Sequence, residues 1–158
     1  MEDKLKLYLD TSVWNFALET ERSGSSLTRE FLELILQEEY MTITSDVVQA
    51  EILAAPEPRK SHLQKLIGSL PVETIIGTNS SRQLANLYVK EGLIPNSEFN
   101  DALHIAIATT NRCNFIVSWN FKHMVRAKVI MGVHHINHRE SYGLIEIVSP
   151  EHFLGKKE

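Results

Sequence analysis

Four residues of this chain have side chains and settings that could do chemistry together: Asp10, Glu51, Asp101 and Asn120. Asp10 follows directly on Leu7-Tyr8-Leu9, and Glu51 stands within Gln49-Ala50-Glu51-Ile52-Leu53. Asp101 precedes the apolar run from Ala102 to Ala108, and Asn120 lies two residues past Phe115-Ile116-Val117-Ser118. A carboxylate beside such runs suffers heavy desolvation unless a cation, a donor or a solvent cavity receives it. Three carboxylates around one cleft would suit a hard divalent cation, Mg²⁺ or Mn²⁺, which takes carboxylate and water oxygens and leaves positions open for phosphate. Such a cation acidifies water, orients it against a phosphodiester and offsets charge on the leaving oxygen. Each residue also has a structural reading: Asp10 as a helix N-cap, Glu51 on an exposed helix edge, Asp101 as an anion in a first helical turn.

The elements that must position them follow from hydrophobic periodicity. Residues 5–9, 41–44, 72–76, 115–118 and 143–148 read as strands. Helices are expected from near residue 13, over 27–40, from Ser45 to about Leu53, and over 59–69, 80–92, 98–110 and 121–131. This alternation predicts an α/β fold with a central, mainly parallel sheet of about five strands between helical layers. Ligands of such folds gather beyond the carboxyl ends of the strands, which is where Asp10 and Asn120 fall.

Composition bounds the reading. A chain of 158 residues, 43% hydrophobic and 23% charged, fits one folded domain over 1–158 rather than a disordered polyelectrolyte. Cys113 is the only cysteine, which excludes an intramolecular disulfide and a cysteine-rich zinc site and reads as a buried thiol. No apolar run is long enough to span a bilayer, and Met1-Glu2-Asp3-Lys4 lacks signal-peptide order, so a cytoplasmic address is expected. The net charge of −4 hides an asymmetry: residues 102–139 hold none of the 20 acidic residues but five basic ones, Arg112, Lys122, Arg126, Lys128 and Arg139. Five of the seven histidines share that stretch, so a polyanion could be met there, or a solvated helix face could simply balance acidic neighbours.

Taken together, Leu7-Tyr8-Leu9-Asp10-Thr11-Ser12-Val13, Ser45 through Glu51, Asp101-Ala102-Leu103-His104-Ile105-Ala106 and Val117-Ser118-Trp119-Asn120-Phe121-Lys122-His123 resemble the PIN-domain family of metal-dependent nucleases. The likeness is to small VapC-type toxin ribonucleases and extends from residue 5 to about residue 148. It implies a three-layer α/β/α sandwich, hydrolysis of RNA with Mg²⁺ or Mn²⁺, and Asp10, Glu51 and Asp101 as metal ligands. Asn120 departs from the aspartate that many members carry there and matches a subgroup with Ser-Trp-Asn-x-Lys-His; its carbonyl can still ligate a cation or position water. Lys122 and His123 would meet the RNA backbone, with Arg126 a weaker candidate, and Thr11 or Ser12 would bond phosphate or Asp10, or cap the helix. The resemblance also implies a homodimer and an antitoxin protein.

Two rivals remain. A phosphatase using Asp10 as nucleophile would need a second aspartate two residues on, where Ser12 stands. A catalytically weak or inactive PIN-like domain would bind RNA or a partner protein, with neutral Asn120 leaving the metal site feeble. Among other clusters, His134, His135 and His138 offer a helical i, i+4 pair for zinc only if Gly132 and Asn137 allow a helix. His104 is expected beside the core with one hydrogen bond, and Trp14, Phe16, Trp119 and Phe121 either stack on bases or make core or dimer contacts.

Overall fold

The computed structural model describes residues 4–155, so Met1–Asp3 of the signal-peptide argument and the outer limits of the 1–158 domain lie outside the described residues. Five strands, β1 (Lys6–Leu9), β2 (Met41–Ser45), β3 (Val72–Ile75), β4 (Phe115–Val117) and β5 (Glu146–Val148), form one wholly parallel sheet in the order β3-β2-β1-β4-β5. Tyr8 pairs in register with Ile43 on one side and Ile116 on the other. A central parallel strand is covered on both faces, which is why Leu7, Tyr8 and Leu9 can all be apolar-bodied and fully buried.

Seven helices connect and cover the strands: α1 (Thr11–Leu18), α2 (Ser25–Leu36), α3 (Asp46–Leu53), α4 (Arg59–Gly68), α5 (Asn79–Lys90), α6 (Phe99–Thr110) and α7 (Ala127–Arg139). They complete the three-layer α/β/α arrangement: α1 packs on α2 and α4, α5 packs on α6 and α7, and α3 touches both α1 and α6. The chain leaves β1 toward β2 but leaves β4 toward β5, so their connections diverge and open a crevice beyond their carboxyl ends. Among the described residues, no helix is long and apolar enough to cross a membrane.

The expected helix over 121–131 is displaced. Residues 121–126 form turns, in which Phe121 N donates to Trp119 O and both Met124 N and Val125 N donate to Asn120 O. Fully buried Met124 plugs this loop into the core. The helix instead starts at Ala127 and runs through the two residues expected to weaken it. Gly132 is needed because α7 passes close to Leu93, whose Cδ2 would lie 2.3 Å from an added Cβ. Asn137 is buried but satisfied, accepting from Tyr88 OH at 2.5 Å and donating to Thr109 Oγ1 at 3.2 Å. Periodicity also overran two ends: α2 stops at Leu36, short of Tyr40, and β5 starts at Glu146.

Candidate active site

Asp10 ends β1 and is only 3% exposed. It caps α1, accepting from Ser12 N at 3.0 Å and from Ser12 Oγ at 2.5 Å on Oδ1, while Ser118 Oγ donates to Oδ2 at 2.5 Å. Each serine is itself oriented by the backbone after β4: Trp119 N donates to Ser12 Oγ at 2.8 Å and Asn120 N to Ser118 Oγ at 2.9 Å. An amide that donates to a hydroxyl oxygen leaves that hydroxyl's proton to point elsewhere, here at Asp10. Both carboxylate oxygens are therefore aimed by the neighbouring strand through serine relays. Burial raises the Asp10 pKa, opposed by the charge of His104 and by the hydrogen bonds from Ser118 and Ser12.

Glu51 reaches the same crevice from α3, accepting from Thr11 Oγ1 at 3.1 Å and lying 2.6 Å from His104 Nε2. His104 makes two contacts rather than the expected one, because its Nδ1 lies 2.6 Å from Tyr8 OH, which in turn lies 2.7 Å from Ser45 Oγ. Burial alone would lower the His104 pKa, but its hydrogen bond to Glu51 and the charges of Glu51, Asp10 and Asp101 outweigh this and hold it above the usual histidine value. In the protonated ring both nitrogens donate: Nε2–H to Glu51 and Nδ1–H to the Tyr8 oxygen, whose own proton then goes to Ser45. The charge of the protonated ring would offset the mutual repulsion of the carboxylates that raise its pKa, Glu51, Asp10 and Asp101.

Asp101 stands in the first turn of α6, half-buried, and its pKa is raised by burial, opposed by His104 and by the Asn120 hydrogen bond. Asn120 Nδ2 donates to Asp101 Oδ2 at 3.1 Å, and Asn120 Oδ1 accepts from His123 N at 2.9 Å. Both ends of this amide are thereby engaged in bracing the loop and Asp101. Asp10, Glu51 and Asp101, with Asn120, His104, Thr11, Ser12 and Lys122, line one cleft of about 480 Å³. The expected set therefore converges, except that His123 and Arg126 open instead on an adjoining groove, which Lys122 shares. Thr11 is turned to Glu51 rather than to Asp10.

Several cleft residues were missed by sequence reasoning. His104 and Ser118 carried a faint signal, a polar group inside an apolar run that must find a partner when buried. Phe16 was singled out only as an aromatic that stacks or packs, and Asn15, Glu19 and Arg22 carried no signal, since only the tertiary structure brings α1 and the turn after it to the rim. Glu98 is a further case: its carboxylate, that of Asp101 and the His123 ring approach within 4.8 Å of one another. The α7 histidines do not pool in this way, since His134 Nε2 is 2.7 Å from Glu146 Oε1.

A PIN-domain profile matches residues 7–123, most of the chain and every carboxylate of the cleft. The chain belongs to the PIN-domain family. No curated protein sequence matches this PIN domain. Its fold is similar to that of VapBC from Salmonella typhimurium in a DNA-bound complex, with a TM-score of 0.59 and 14% identity over 92% of this chain and 98% of that one. It is also similar to VapBC2 from Rickettsia felis bound to a promoter fragment, with a TM-score of 0.56 and 18% identity over 90% of this chain and 98% of that one. A third likeness is to VapC20 of Mycobacterium tuberculosis, a sarcin-ricin loop cleaving toxin, with a TM-score of 0.54 and 14% identity over 74% of this chain and 92% of that one. At these identities the likeness is one of fold.

Proposed function

We propose that this PIN domain is a divalent-metal-dependent endoribonuclease, the toxin of a toxin–antitoxin pair acting in the cytoplasm as a homodimer. The observation that carries the reading is the convergence of Asp10, Glu51 and Asp101, from β1, α3 and α6, on the crevice where the β1 and β4 connections diverge. The donor set fits Mg²⁺ or Mn²⁺: the three carboxylates offer oxygens only, and burial disfavours the charged forms of Asp10 and Asp101 unless a cation is near. Asp10, Glu51 and Asp101 would hold the ion, which when bound supplies acidified water and charge neutralisation at phosphate. The chain's own part is to orient Asp10 through Ser12 and Ser118, to orient Glu51 through His104 and Thr11, and to meet phosphate with Lys122.

The test is cleavage of mixed structured and single-stranded RNAs with Mn²⁺ or Mg²⁺. Loss of cleavage in EDTA and in both Asp10→Asn and Asp101→Asn supports the reading; cleavage that survives both substitutions refutes the site. A second reading, a domain that binds RNA or a partner protein without cutting, is favoured by one observation: Asn120 adds no charge, and its amide is engaged by Asp101 and His123. No cleavage of any RNA, with no thermal shift by Mn²⁺, would favour it.

A further inference from the structure

The lip of the cleft is aromatic, and its rings are unequally occupied. Trp14 is fully buried away from it. Phe16 stacks on Trp119 with centroids 5.0 Å apart and planes 8° apart, and the Arg22 guanidinium stands 4.0 Å from its centre. Trp119 is 9% exposed, and its Nε1 donates to Thr28 Oγ1 at 2.7 Å. Gly24, at φ 95°, lets the backbone pass so near Trp119 that an added Cβ would lie 3.2 Å from its ring. These rings form a fixed base on which Phe121 rests edge-on, at 5.9 Å and 78° to Trp119. Phe121 is nevertheless 51% exposed while lining the cleft beside the carboxylates.

The next residue, Lys122, lines both this cleft and the adjoining groove of about 420 Å³, whose other polar walls include His123, Arg126 and Lys128 and hold no acidic residue. Among the described residues, none of Lys122, Arg126 and Lys128 forms an ion pair. An exposed apolar ring on a packed base, followed by cations without ion-pair partners along a groove that shares Lys122 with the cleft, matches a ligand that alternates flat π-faces with negative charges. A nucleotide strand has that chemistry, and only an unpaired base can offer its face, because paired bases are already stacked on their neighbours.

We propose that Phe121 is a stacking platform for an unpaired nucleobase next to the phosphate held in the cleft, and that Lys122, Arg126 and Lys128 carry the same strand out along the adjoining groove. The proposal rests on the cleft's binding nucleic acid and adds which part of the strand each side chain takes. Stacking is tolerant of base identity, so this site selects single-strandedness rather than sequence.

The test is fluorescence anisotropy of labelled single-stranded and duplex oligoribonucleotides in EDTA, over a range of salt, with Mn²⁺-dependent cleavage measured in parallel. Phe121→Ala weakens single-strand binding by about 10-fold without changing its salt slope. Phe121→Trp retains binding, Phe121→Leu does not, and duplex binding is unmoved by all three. Lys122→Gln, Arg126→Gln and Lys128→Gln together flatten the salt slope. Leu144→Ala, which trims a still more exposed apolar residue before β5, leaves binding unchanged and controls for solubility. Equal binding by wild type and Phe121→Ala, or full rescue by Phe121→Leu, overturns the proposal. So does a Phe121→Ala change confined to oligomeric state by sedimentation, which would mean that a second copy covers the ring, or one confined to affinity for a protein partner. If wild type binds through Phe121 but never cuts, the nuclease reading fails and the stacking site stands; cleavage and binding indifferent to Phe121 give the reverse.

Discussion

Asp10 and Asp101 face one cleft but are held by opposite means. Asp10 is almost wholly buried at a strand end, and three hydrogen bonds, two of them serine relays from the β4 backbone, aim both of its oxygens. Asp101 is half-buried on a helix and is braced by one side-chain amide, that of Asn120, on a loop made of turns. Asp10 is thus fixed through both oxygens, the rigid side of the site, whereas Asp101 is fixed through one, the adjustable side. Under the proposed function, Asp10 would be the preset ligand and Asp101 the one that adjusts to an ion.

The sharpest way to break this comparison is to remove charge from the rigid side. Asp10→Asn keeps an acceptor for one serine and offers the other an N–H that its hydroxyl oxygen can accept, so the fold persists, while RNA cleavage falls on the order of 100-fold or more and the thermal shift by Mn²⁺ disappears. A retained Mn²⁺ shift would mean that the ion is held by the outer group of Glu98, Asp101 and His123 instead.

Next in size is the support shared by both halves. His104→Ala leaves a cavity and strips Tyr8 OH and Glu51 of a partner, costing about 2–4 kcal/mol in urea unfolding. His104→Gln, which can still reach Glu51, recovers part of the Mn²⁺ affinity as read by calorimetry. Recovery of stability without affinity would reduce His104 to a packing residue.

The buried side of the site also makes stability depend on pH, through Asp10 and His104. Folding raises the pKa of Asp10, so the stability linked to it is full below the ordinary carboxylate value of about 4 and is lost as pH rises through the raised value. His104 acts in the same sense, with its contribution full below about 6.5 and lost above. In EDTA the melting temperature of wild type therefore falls, as pH rises above about 4, more steeply than that of Asp10→Asn. Parallel melting curves would contradict a buried ionised Asp10.

The smallest effect belongs to the adjustable side. Asn120→Ala costs about 1 kcal/mol, since two half-buried hydrogen bonds are lost, one to Asp101 and one from His123 N, and it weakens Mn²⁺ binding less than Asp10→Asn does. Asn120→Asp places a second carboxylate beside Asp101, lowering stability in EDTA and raising it with Mn²⁺. A larger loss from Asn120→Ala than from Asp10→Asn would reverse the assignment of rigid and adjustable halves.

Much of this was legible in the sequence because the signals are local. The run Leu7-Tyr8-Leu9 ending on Asp10 announces a buried strand and a cap, and both occur. Ser45 before an apolar helix announces its N-terminus, and its hydroxyl accepts from Val48 N at 3.4 Å. The helix at 121–131 failed because apolar spacing there reflects Met124 and Val125 plugging a loop, and periodicity cannot tell a plug from a helical face. His134, His135 and His138 are helical after all, because Asn137 found partners on α5 and α6 that no local rule could supply.

By itself, the sequence determined the order of strands and helices, the parallel sheet and the three carboxylates at strand and helix ends, because propensity, capping and periodicity act over a few residues. Tertiary structure decided what these carboxylates feel. Ser118 is 108 residues from Asp10, His104 is 53 from Glu51 and Asn120 is 19 from Asp101, and only the diverging connections of β1 and β4 bring them together. Burial, charge compensation and hydrogen-bond direction depend on distance in space, so no reading along the chain could assign them.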